Sequence, residues 1–317
     1  MSKVLITGGA GFIGSYLAEY CIKMGDSVTI VDSLSTGSYR NLDDIKHDLI
    51  FLHSPVPPDF STQIFFDNCQ FNQIYHLAAN VGFFNVLEEP GRKMYENIRG
   101  SNWVFDYAKR QKAKVLFTSS SEVYGERFSC PFKEDDRLIL GNPNEMRWGY
   151  AYSKLVSEYD CLQCGARSVV VRLFNTIGKR QTGKYGMVVP RFVEQVKNNE
   201  VVQIYGIGEQ TRCFCNVKDV VEALFWLMNT DNTSGEIYNV GSVEEISIMD
   251  LMLRIRDVIG QADLKFKLVP YSDAYGCEFN DVMRRVPSIK KVSKAIGWIP
   301  RVNLINTLKE IIGDGQV

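Results

Sequence analysis

The sequence has few of the residues that build metal centres. It contains three histidines among 317 residues, and its eight cysteines are scattered along the chain. The close pairs Cys161-x-x-Cys164 and Cys213-x-Cys215 fall in a predicted helix and in a strand or loop, where packed thiols are more common than metal ligands. We therefore predict no metal site, and reduced cysteines without a disulfide framework.

The sequence also lacks an excess of charge of either sign and any long apolar run. Lys and Arg number 36 against 37 Asp and Glu, so no net field favours nucleic acid or an anionic membrane surface. No apolar stretch approaches the length that spans a bilayer, and the first residues show no signal-peptide pattern. We expect a cytoplasmic protein that binds neither nucleic acid nor membrane.

The chain does contain an alternation of short β-branched runs with longer segments of helical periodicity. This alternation is typical of a parallel sheet wound by helices, so we predict an α/β protein with a doubly wound Rossmann sheet and a smaller α/β lobe. The predicted strands are Lys3–Thr7, Ser27–Val31, Leu49–Leu52, Gln73–Leu77, Lys114–Thr118 and Ser168–Leu173. The predicted helices are Phe12–Met24, Gly91–Lys112 and Tyr150–Cys164.

A glycine-rich segment joins the first predicted strand to the first predicted helix. Its residues are Thr7-Gly8-Gly9-Ala10-Gly11-Phe12-Ile13-Gly14. Glycines let the backbone approach a pyrophosphate, and the helix N-terminus offers unpaired N–H groups to the negative charge. We therefore predict that a dinucleotide binds at Gly8, Gly11, Phe12, Ile13 and Gly14.

A carboxylate ends the second predicted strand. Asp32 is placed to accept hydrogen bonds from both hydroxyls of the adenine ribose, and its charge would repel a 2′-phosphate. We therefore predict NAD rather than NADP as the cofactor.

We assign no catalytic role to His76. The residues that we expect to line the cofactor side of the cleft after the fourth strand are Leu77, Ala78, Ala79 and Asn97.

The sequence pattern changes after the sixth predicted strand. We predict an NAD-binding domain over residues 1–174 and mainly a substrate-binding lobe over residues 175–317, with a returning segment around 213–241. Within that segment, Glu236–Val240 has the pattern of a late strand that rejoins the sheet. Ser247 begins a Ser-x-x-Asp helix start in the second lobe.

A tyrosine and a lysine lie one helical turn apart in Tyr150-Ala151-Tyr152-Ser153-Lys154. Both side chains reach the same helix face. A phenol is a poor base near neutrality, but a neighbouring ammonium and an oxidised nicotinamide favour its anion and lower its pKa. We predict that Tyr150 takes a proton from a hydroxyl group.

The serines of Thr118–Gly125 follow the fifth strand, at the ligand-binding edge of a parallel sheet.

Together these motifs resemble the extended short-chain dehydrogenase/reductases, specifically the NAD-dependent epimerase/dehydratase group that acts on nucleotide sugars. The similarity continues to Arg172-Leu173-Phe174-Asn175 and residues 205–219. The resemblance implies that Tyr150 removes the C4 hydroxyl proton of the sugar, that Lys154 holds the cofactor ribose and lowers the pKa of Tyr150, and that Ser120 hydrogen-bonds the reacting oxygen. Further candidate catalytic residues are Ser121 and Glu122.

The resemblance also implies where the nucleotide sugar binds. Asn175 is expected near the diphosphate, and Val189 and Arg191 near the base. Arg212 is expected near a phosphate or ribose, and its guanidinium fork has the chemistry to pair with phosphate oxygens.

Oxidation at C4 leaves a ketone from which several net reactions can follow. We place C4 epimerisation first because it needs only a pocket in which the keto sugar turns over. Decarboxylation of a nucleotide-uronate ranks about equal, since Ser121-Glu122 and Arg284-Arg285-Val286-Pro287 resemble such decarboxylases, with Arg285 as candidate carboxylate clamp. The Ser-Glu pair, in place of Asp-Glu, disfavours dehydration. Net 4-dehydrogenation with release of the 4-keto sugar is a third interpretation.

An interpretation from a different class is a non-catalytic, NAD-responsive binding protein. The intact set of Ser120, Tyr150 and Lys154 argues against it, since a binding protein does not need these residues. The helices Gly91–Lys112 and Tyr150–Cys164 match those that pair across dimers in the family that the chain resembles. We therefore expect a homodimer.

Overall fold

A sheet of seven parallel strands forms the centre of the protein. The computed structural model describes residues 1–82, 89–184, 186–275 and 281–313, and the structural statements concern these residues. All neighbouring strands of the central sheet run parallel. Across the sheet they follow the order Glu236–Val240, Arg167–Leu173, Lys114–Ser120, Gln73–His76, Lys3–Thr7, Ser27–Asp32 and Leu49–His53. Every predicted strand is present with ends that differ by at most two residues, and the predicted Rossmann fold is confirmed.

Helices alternate with the strands along the chain. The three predicted helices begin and end within two residues of their predicted limits. None of the helices in the described residues is long and apolar enough to cross a membrane. The helices are Phe12–Lys23, Phe60–Asn68, Pro90–Gln111, Trp148–Gln163, Val188–Lys197, Val217–Asn229, Ile248–Ile259, Tyr271–Tyr275, Lys290–Ile296 and Leu304–Ile312.

Each face of the central sheet has its own apolar core. Successive side chains of a strand point to opposite faces, and on the first strand Val4 and Ile6 pack in one core while Leu5 packs in the other. The first core includes side chains from the helices Phe12–Lys23 and Val217–Asn229. The second includes side chains from Pro90–Gln111 and Trp148–Gln163. Burial on both faces explains why these strands are almost continuously apolar.

The second lobe packs around small sheets. Its core contains residues such as Phe192, Leu251 and Leu308. Ser247 starts the helix Ile248–Ile259 as predicted, because its hydroxyl oxygen accepts a hydrogen bond from the Asp250 N–H at 2.9 Å. The strands outside the central sheet are Thr176–Ile177, Val202–Tyr205, Thr211–Cys213, Cys215–Asn216, Glu245–Ser247, Phe266–Val269 and Arg284–Arg285.

The chain crosses from the second lobe back to the first core twice. The helix Val217–Asn229 and the strand Glu236–Val240 make the first return, within the segment around 213–241. Val292 and Trp298 make a second return near the C-terminal end of the described residues, and the sequence analysis did not predict it. We propose that residues 1–174 and 175–317 are still the useful division by function.

The described cysteines are packed rather than cross-linked. They carry free thiols, and Cys277 lies outside the described residues. Cys21, Cys161, Cys213 and Cys215 are buried. Within the described ranges, no group of three or more His, Cys, Asp or Glu side chains converges as metal ligands would.

Candidate active site

One cleft of about 1070 Å³ gathers every residue that the sequence analysis assigned to a site. The cleft lies at the carboxyl ends of the central strands, where parallel sheets bind their ligands. The predicted residues that line it are Gly8, Gly11, Phe12, Ile13, Gly14, Asp32, Leu77, Ala78, Ala79, Asn97, Ser120, Ser121, Glu122, Tyr150, Lys154, Asn175, Val189, Arg191, Arg212 and Arg285.

The glycine segment forms a cradle that side chains would fill. Gly8 has φ +72°, and a Cβ on it would lie 2.8 Å from the Ala78 nitrogen. A Cβ on Gly14 would lie 2.2 Å from the carbonyl oxygen of Gly8. The helix that begins after Gly11 has no side-chain cap and no acidic residue in its first turn, so its N-terminus favours an anion. The residues present therefore fit the pyrophosphate of a dinucleotide.

Asp32 is held rigidly at the edge of the cleft. Its Oδ2 accepts a hydrogen bond from the Ala10 N–H at 2.9 Å, and its Oδ1 accepts one from the Leu34 N–H at 2.7 Å. Burial raises the pKa of the Asp32 carboxyl, and these backbone hydrogen bonds act in the opposite direction. A fixed carboxylate at this place fits the paired hydroxyls of a ribose.

Asn97 and His76 mainly hold the cofactor side of the cleft in shape. The Asn97 Oδ1 accepts a hydrogen bond from the Asn80 N–H at 2.7 Å, and its Nδ2 donates to the Ser153 Oγ at 3.3 Å. His76 is buried, with its Nδ1 2.7 Å from the Thr7 Oγ1. Burial lowers the pKa of His76 to about 3, so the ring is neutral and fits a structural role.

Lys154 reaches the cleft from the helix Trp148–Gln163. Its Nζ donates a hydrogen bond to the Thr118 carbonyl oxygen at 2.9 Å and lies 5.8 Å from the centre of the Tyr150 ring. Burial lowers the pKa of Lys154 to about 7, while the carboxylate of Glu158 acts to raise it. The predicted helical spacing thus places the ammonium beside the phenol.

The protein groups around Tyr150 raise its pKa. Burial raises it above the ordinary value for a phenol, and the negative charge of Glu122 raises it further. A hydrogen bond with Ser120 acts in the opposite direction. The lowering of this pKa by Lys154 together with an oxidised nicotinamide stays a prediction, and it has to outweigh these protein groups, because a buried phenolate near a carboxylate is costly.

Glu122 lies among arginines in the cleft. The Nη1 of Arg285 donates a hydrogen bond to the Glu122 carboxylate, and the Nη2 of Arg147 lies 3.8 Å from its Oε2. Burial acts to raise the pKa of Glu122, but Arg285, Arg147 and Arg212 outweigh it and hold the pKa at about 2. Glu122 is therefore ionised.

Sequence reasoning missed Arg147. Its guanidinium packs 4.3 Å from the centre of the Trp148 ring, and its side chain is 6 % exposed. The spacing held a signal, since a residue three positions before Tyr150 lies on the same helix face. The residue stands just before the helix begins, so periodicity alone did not select it.

Arg212 is engaged by protein groups. Its Nη2 donates to the Asp281 Oδ1 at 2.7 Å, and its Nη1 donates to the carbonyl oxygens of Val282 at 2.7 Å and Thr211 at 2.8 Å. The Tyr271 hydroxyl donates to the other oxygen of Asp281 at 2.9 Å. Asp281 and Tyr271 also line the cleft and were not predicted. No local pattern marks them, because they meet Arg212 across a long separation in the chain.

The remaining predicted residues lie where the second lobe closes the cleft. The Asn175 Nδ2 donates to the Cys213 carbonyl oxygen at 3.2 Å. The guanidinium carbon of Arg191 lies 3.8 Å from the centre of the Tyr205 ring, and Val189 is buried near the start of the helix Val188–Lys197. The stacked Arg191 and Tyr205 form a flat, cationic surface of the kind on which a base can stack.

Comparison with known proteins identifies the family. The model of the NAD dependent epimerase/dehydratase family matches residues 4–241. The chain belongs to this family. A UDP-N-acetyl-alpha-D-glucosaminuronate decarboxylase of Bacillus cytotoxicus is 34 % identical over 314 residues, which cover 98 % of this chain and 96 % of that protein. UDP-glucuronic acid decarboxylase 1 of Xenopus tropicalis is 35 % identical over 318 residues, which cover 98 % of this chain and 71 % of that protein.

Solved structures of the epimerase/dehydratase type share the fold. The UDP-N-acetylglucosamine 4-epimerase of Methanobrevibacter ruminantium superposes with a TM-score of 0.85 at 29 % identity, covering 98 % of this chain and 97 % of that one. Membership of the epimerase/dehydratase family confirms the predictions of an enzyme and of NAD as its cofactor.

Proposed function

We propose that this NAD-dependent enzyme acts on a nucleotide-linked hexuronate, oxidises its C4 hydroxyl and removes its C6 carboxylate as carbon dioxide. The relatives described above support a nucleotide-sugar substrate, and the two closely matching sequences bear the names of uronate decarboxylases. C4 epimerisation, which the sequence analysis placed first, is not confirmed by these names. The observation that carries the proposal is the buried Arg285 beside Glu122 in the cleft.

The charge of the cluster favours a substrate with a carboxylate. The guanidinium groups of Arg147, Arg212 and Arg285 all act on the carboxylate of Glu122 within the cleft. Guanidinium groups bind a carboxylate through charged hydrogen bonds, so they suit a substrate with a C6 carboxylate better than one with a neutral hydroxymethyl group.

The first step is the oxidation. NAD, when bound, supplies the acceptor and later the donor of a hydride. Tyr150 takes the proton of the C4 hydroxyl, Lys154 holds the ribose and its charge opposes the raised pKa of the phenol, and Ser120 hydrogen-bonds the reacting oxygen. The cradle of Gly8 and Gly14 would hold the pyrophosphate of the cofactor.

The second step is the loss of carbon dioxide. With a ketone at C4, the C6 carboxylate is a β-keto acid. The C5–C6 bond breaks, its electron pair forms the C4–C5 enolate, and carbon dioxide leaves. Arg285, assisted by Arg147, holds the carboxylate across the ketone, and Ser121 and Glu122 line the place where C5 then takes up one proton, which solvent water supplies. Return of the hydride to C4, and of the proton from Tyr150 to the C4 oxygen, gives a nucleotide-linked pentose.

The test is product identification. The protein is incubated with NAD and either UDP-glucuronate or UDP-N-acetylglucosaminuronate, and the products are followed by mass spectrometry and NMR. We expect loss of carbon dioxide, and no loss when Tyr150→Phe replaces the wild type. An unchanged mass with inverted C4 would establish epimerisation instead, and accumulation of NADH with a 4-keto sugar would establish net dehydrogenation.

A further inference from the structure

A buried ion pair lies behind the cleft and takes no part in the steps above. Glu158 and Arg172 are 2 % and 3 % exposed. The Arg172 Nε donates to the Glu158 Oε1 at 3.0 Å, and its Nη2 donates to the Oε2 at 2.8 Å. Neither residue lines the cleft. A buried pair of this kind adds little stability over apolar side chains of similar volume, so its neighbours suggest what it does.

The carboxylate end of the pair lies near Lys154. Glu158 follows Lys154 by one turn of the helix Trp148–Gln163, on the same face. The ammonium of Lys154 is buried and donates to one carbonyl oxygen, that of Thr118. Glu158 is the anion whose charge favours the protonated form of Lys154.

The guanidinium end lies against the turn that carries the other catalytic candidates. The Arg172 guanidinium carbon is 4.8 Å from the centre of the Tyr124 ring, and its Nη1 donates to the Glu134 carbonyl oxygen at 3.3 Å. The Tyr124 hydroxyl donates to the Asn239 Oδ1 at 2.8 Å. Tyr124 ends the turn Ser121–Tyr124 that contains Glu122. The ion pair therefore ties this turn to the helix of Tyr150 and Lys154.

The other groups that face Lys154 contribute no comparable charge. His76, on the neighbouring strand, is neutral because burial lowers its pKa to about 3. The Phe117 ring, 4.7 Å away, and the Thr118 carbonyl belong to the strand Lys114–Ser120 and are uncharged. The phenol of Tyr150 is neutral until it gives up its proton.

We propose that the Glu158–Arg172 pair is a positioning unit for the oxidation step, which keeps Lys154 charged and holds the Ser121–Tyr124 turn against the helix of Tyr150. The inference rests on the roles proposed above for Tyr150 and Lys154. The pair is neutral as a whole. Removing Glu158 leaves an unbalanced cation behind Lys154, whereas removing Arg172 leaves an unbalanced anion.

The experiment compares two variants that leave charges of opposite sign. Glu158→Gln leaves the Arg172 cation unbalanced and lowers the pKa of Lys154, whereas Arg172→Met leaves the Glu158 anion unbalanced and raises it. Lys154 acts as a cation, so kcat falls as the pH rises through this pKa. We expect the alkaline limb of kcat to move by about one pH unit, downward for Glu158→Gln and upward for Arg172→Met. The double variant should return near the wild-type position.

A direct titration makes the result independent of turnover. In protein labelled with carbon-13 lysine, the Lys154 resonance is identified by its absence in Lys154→Arg, and its pKa is followed by NMR. Lys114→Met is the matched control. It removes another buried charge, at the far end of the strand Lys114–Ser120, in which Thr118 accepts the hydrogen bond from Lys154. This control should leave the Lys154 titration unchanged.

The outcomes separate the two proposals. Shifts of the same sign in both single variants, or no shift beside an equal loss of activity, would overturn the positioning role and leave a purely structural pair. If Tyr150→Phe keeps full turnover, the proposed chemistry fails while the titration still reports on Lys154. If a single variant folds poorly, the double variant and the conservative Glu158→Asp test the positioning role instead. The double variant removes both charges, and Glu158→Asp should restore the wild-type profile.

Discussion

The carboxylate clamp gives the sharpest prediction of the proposed function. In Arg285→Gln, the buried guanidinium that pairs with Glu122 is replaced by a neutral amide of smaller reach. Losing a charged hydrogen bond in a desolvated site costs about 2–4 kcal/mol, which corresponds to roughly a 30- to 1000-fold loss of kcat/KM for a nucleotide-uronate. The loss should be specific to substrates with a C6 carboxylate.

The assay compares two ligands. Steady-state rates are measured with UDP-glucuronate, and UDP-glucose is used as a competitive inhibitor because it differs only at C6. We expect Arg285→Gln to weaken the uronate while the inhibition constant of UDP-glucose stays within about threefold. The neighbouring Arg284→Gln is the control, since Arg284 is exposed and pairs with Glu245 at 2.8 Å. Equal losses for both ligands, or full uronate activity in Arg285→Gln, would refute the clamp.

Further variants test the cofactor cradle, the sheet and the assembly. Gly14→Ala should weaken NADH binding by about tenfold or more, because its Cβ would lie 2.2 Å from the Gly8 carbonyl oxygen; fluorescence titration measures this. Lys114→Met should lower the free energy of unfolding in urea by about 2 kcal/mol without changing kcat, because Lys114 donates three hydrogen bonds at a buried site. Tyr159→Lys should convert the proposed homodimer to monomer in sedimentation experiments, because Tyr95 and Tyr159 are 63 % and 71 % exposed on the two helices proposed to pair; an unchanged mass would place the interface elsewhere.

The features that sequence predicted well are local ones. The strand Lys3–Thr7, the glycines after it and the carboxylate of Asp32 lie within a few residues of one another or follow a regular alternation. Their signals are propensity and spacing, which a single sequence contains. The same is true of Tyr150 and Lys154, since one helical turn separates them.

The features that sequence missed depend on distant residues. Arg147 meets Glu122 within the first lobe, and Asp281 meets Arg212 within the second, only after segments far apart in the sequence fold together. The effects of burial and of Glu122 on the pKa of Tyr150 were not predicted, because both are tertiary properties. Pairwise distances decide such effects, and spacing along the chain does not report them.

The second return of the chain has a practical consequence for dissecting the protein. The family match ends at residue 241, yet Val292 and Trp298 fill the core of the cofactor half, and the Trp298 Nε1 donates to the Asp219 carbonyl oxygen at 2.9 Å. A fragment that ends at residue 241 would lack these two side chains and would have a cavity in the core beside its sheet. Each half therefore contains segments from both parts of the sequence, and no single cut of the backbone yields both halves intact.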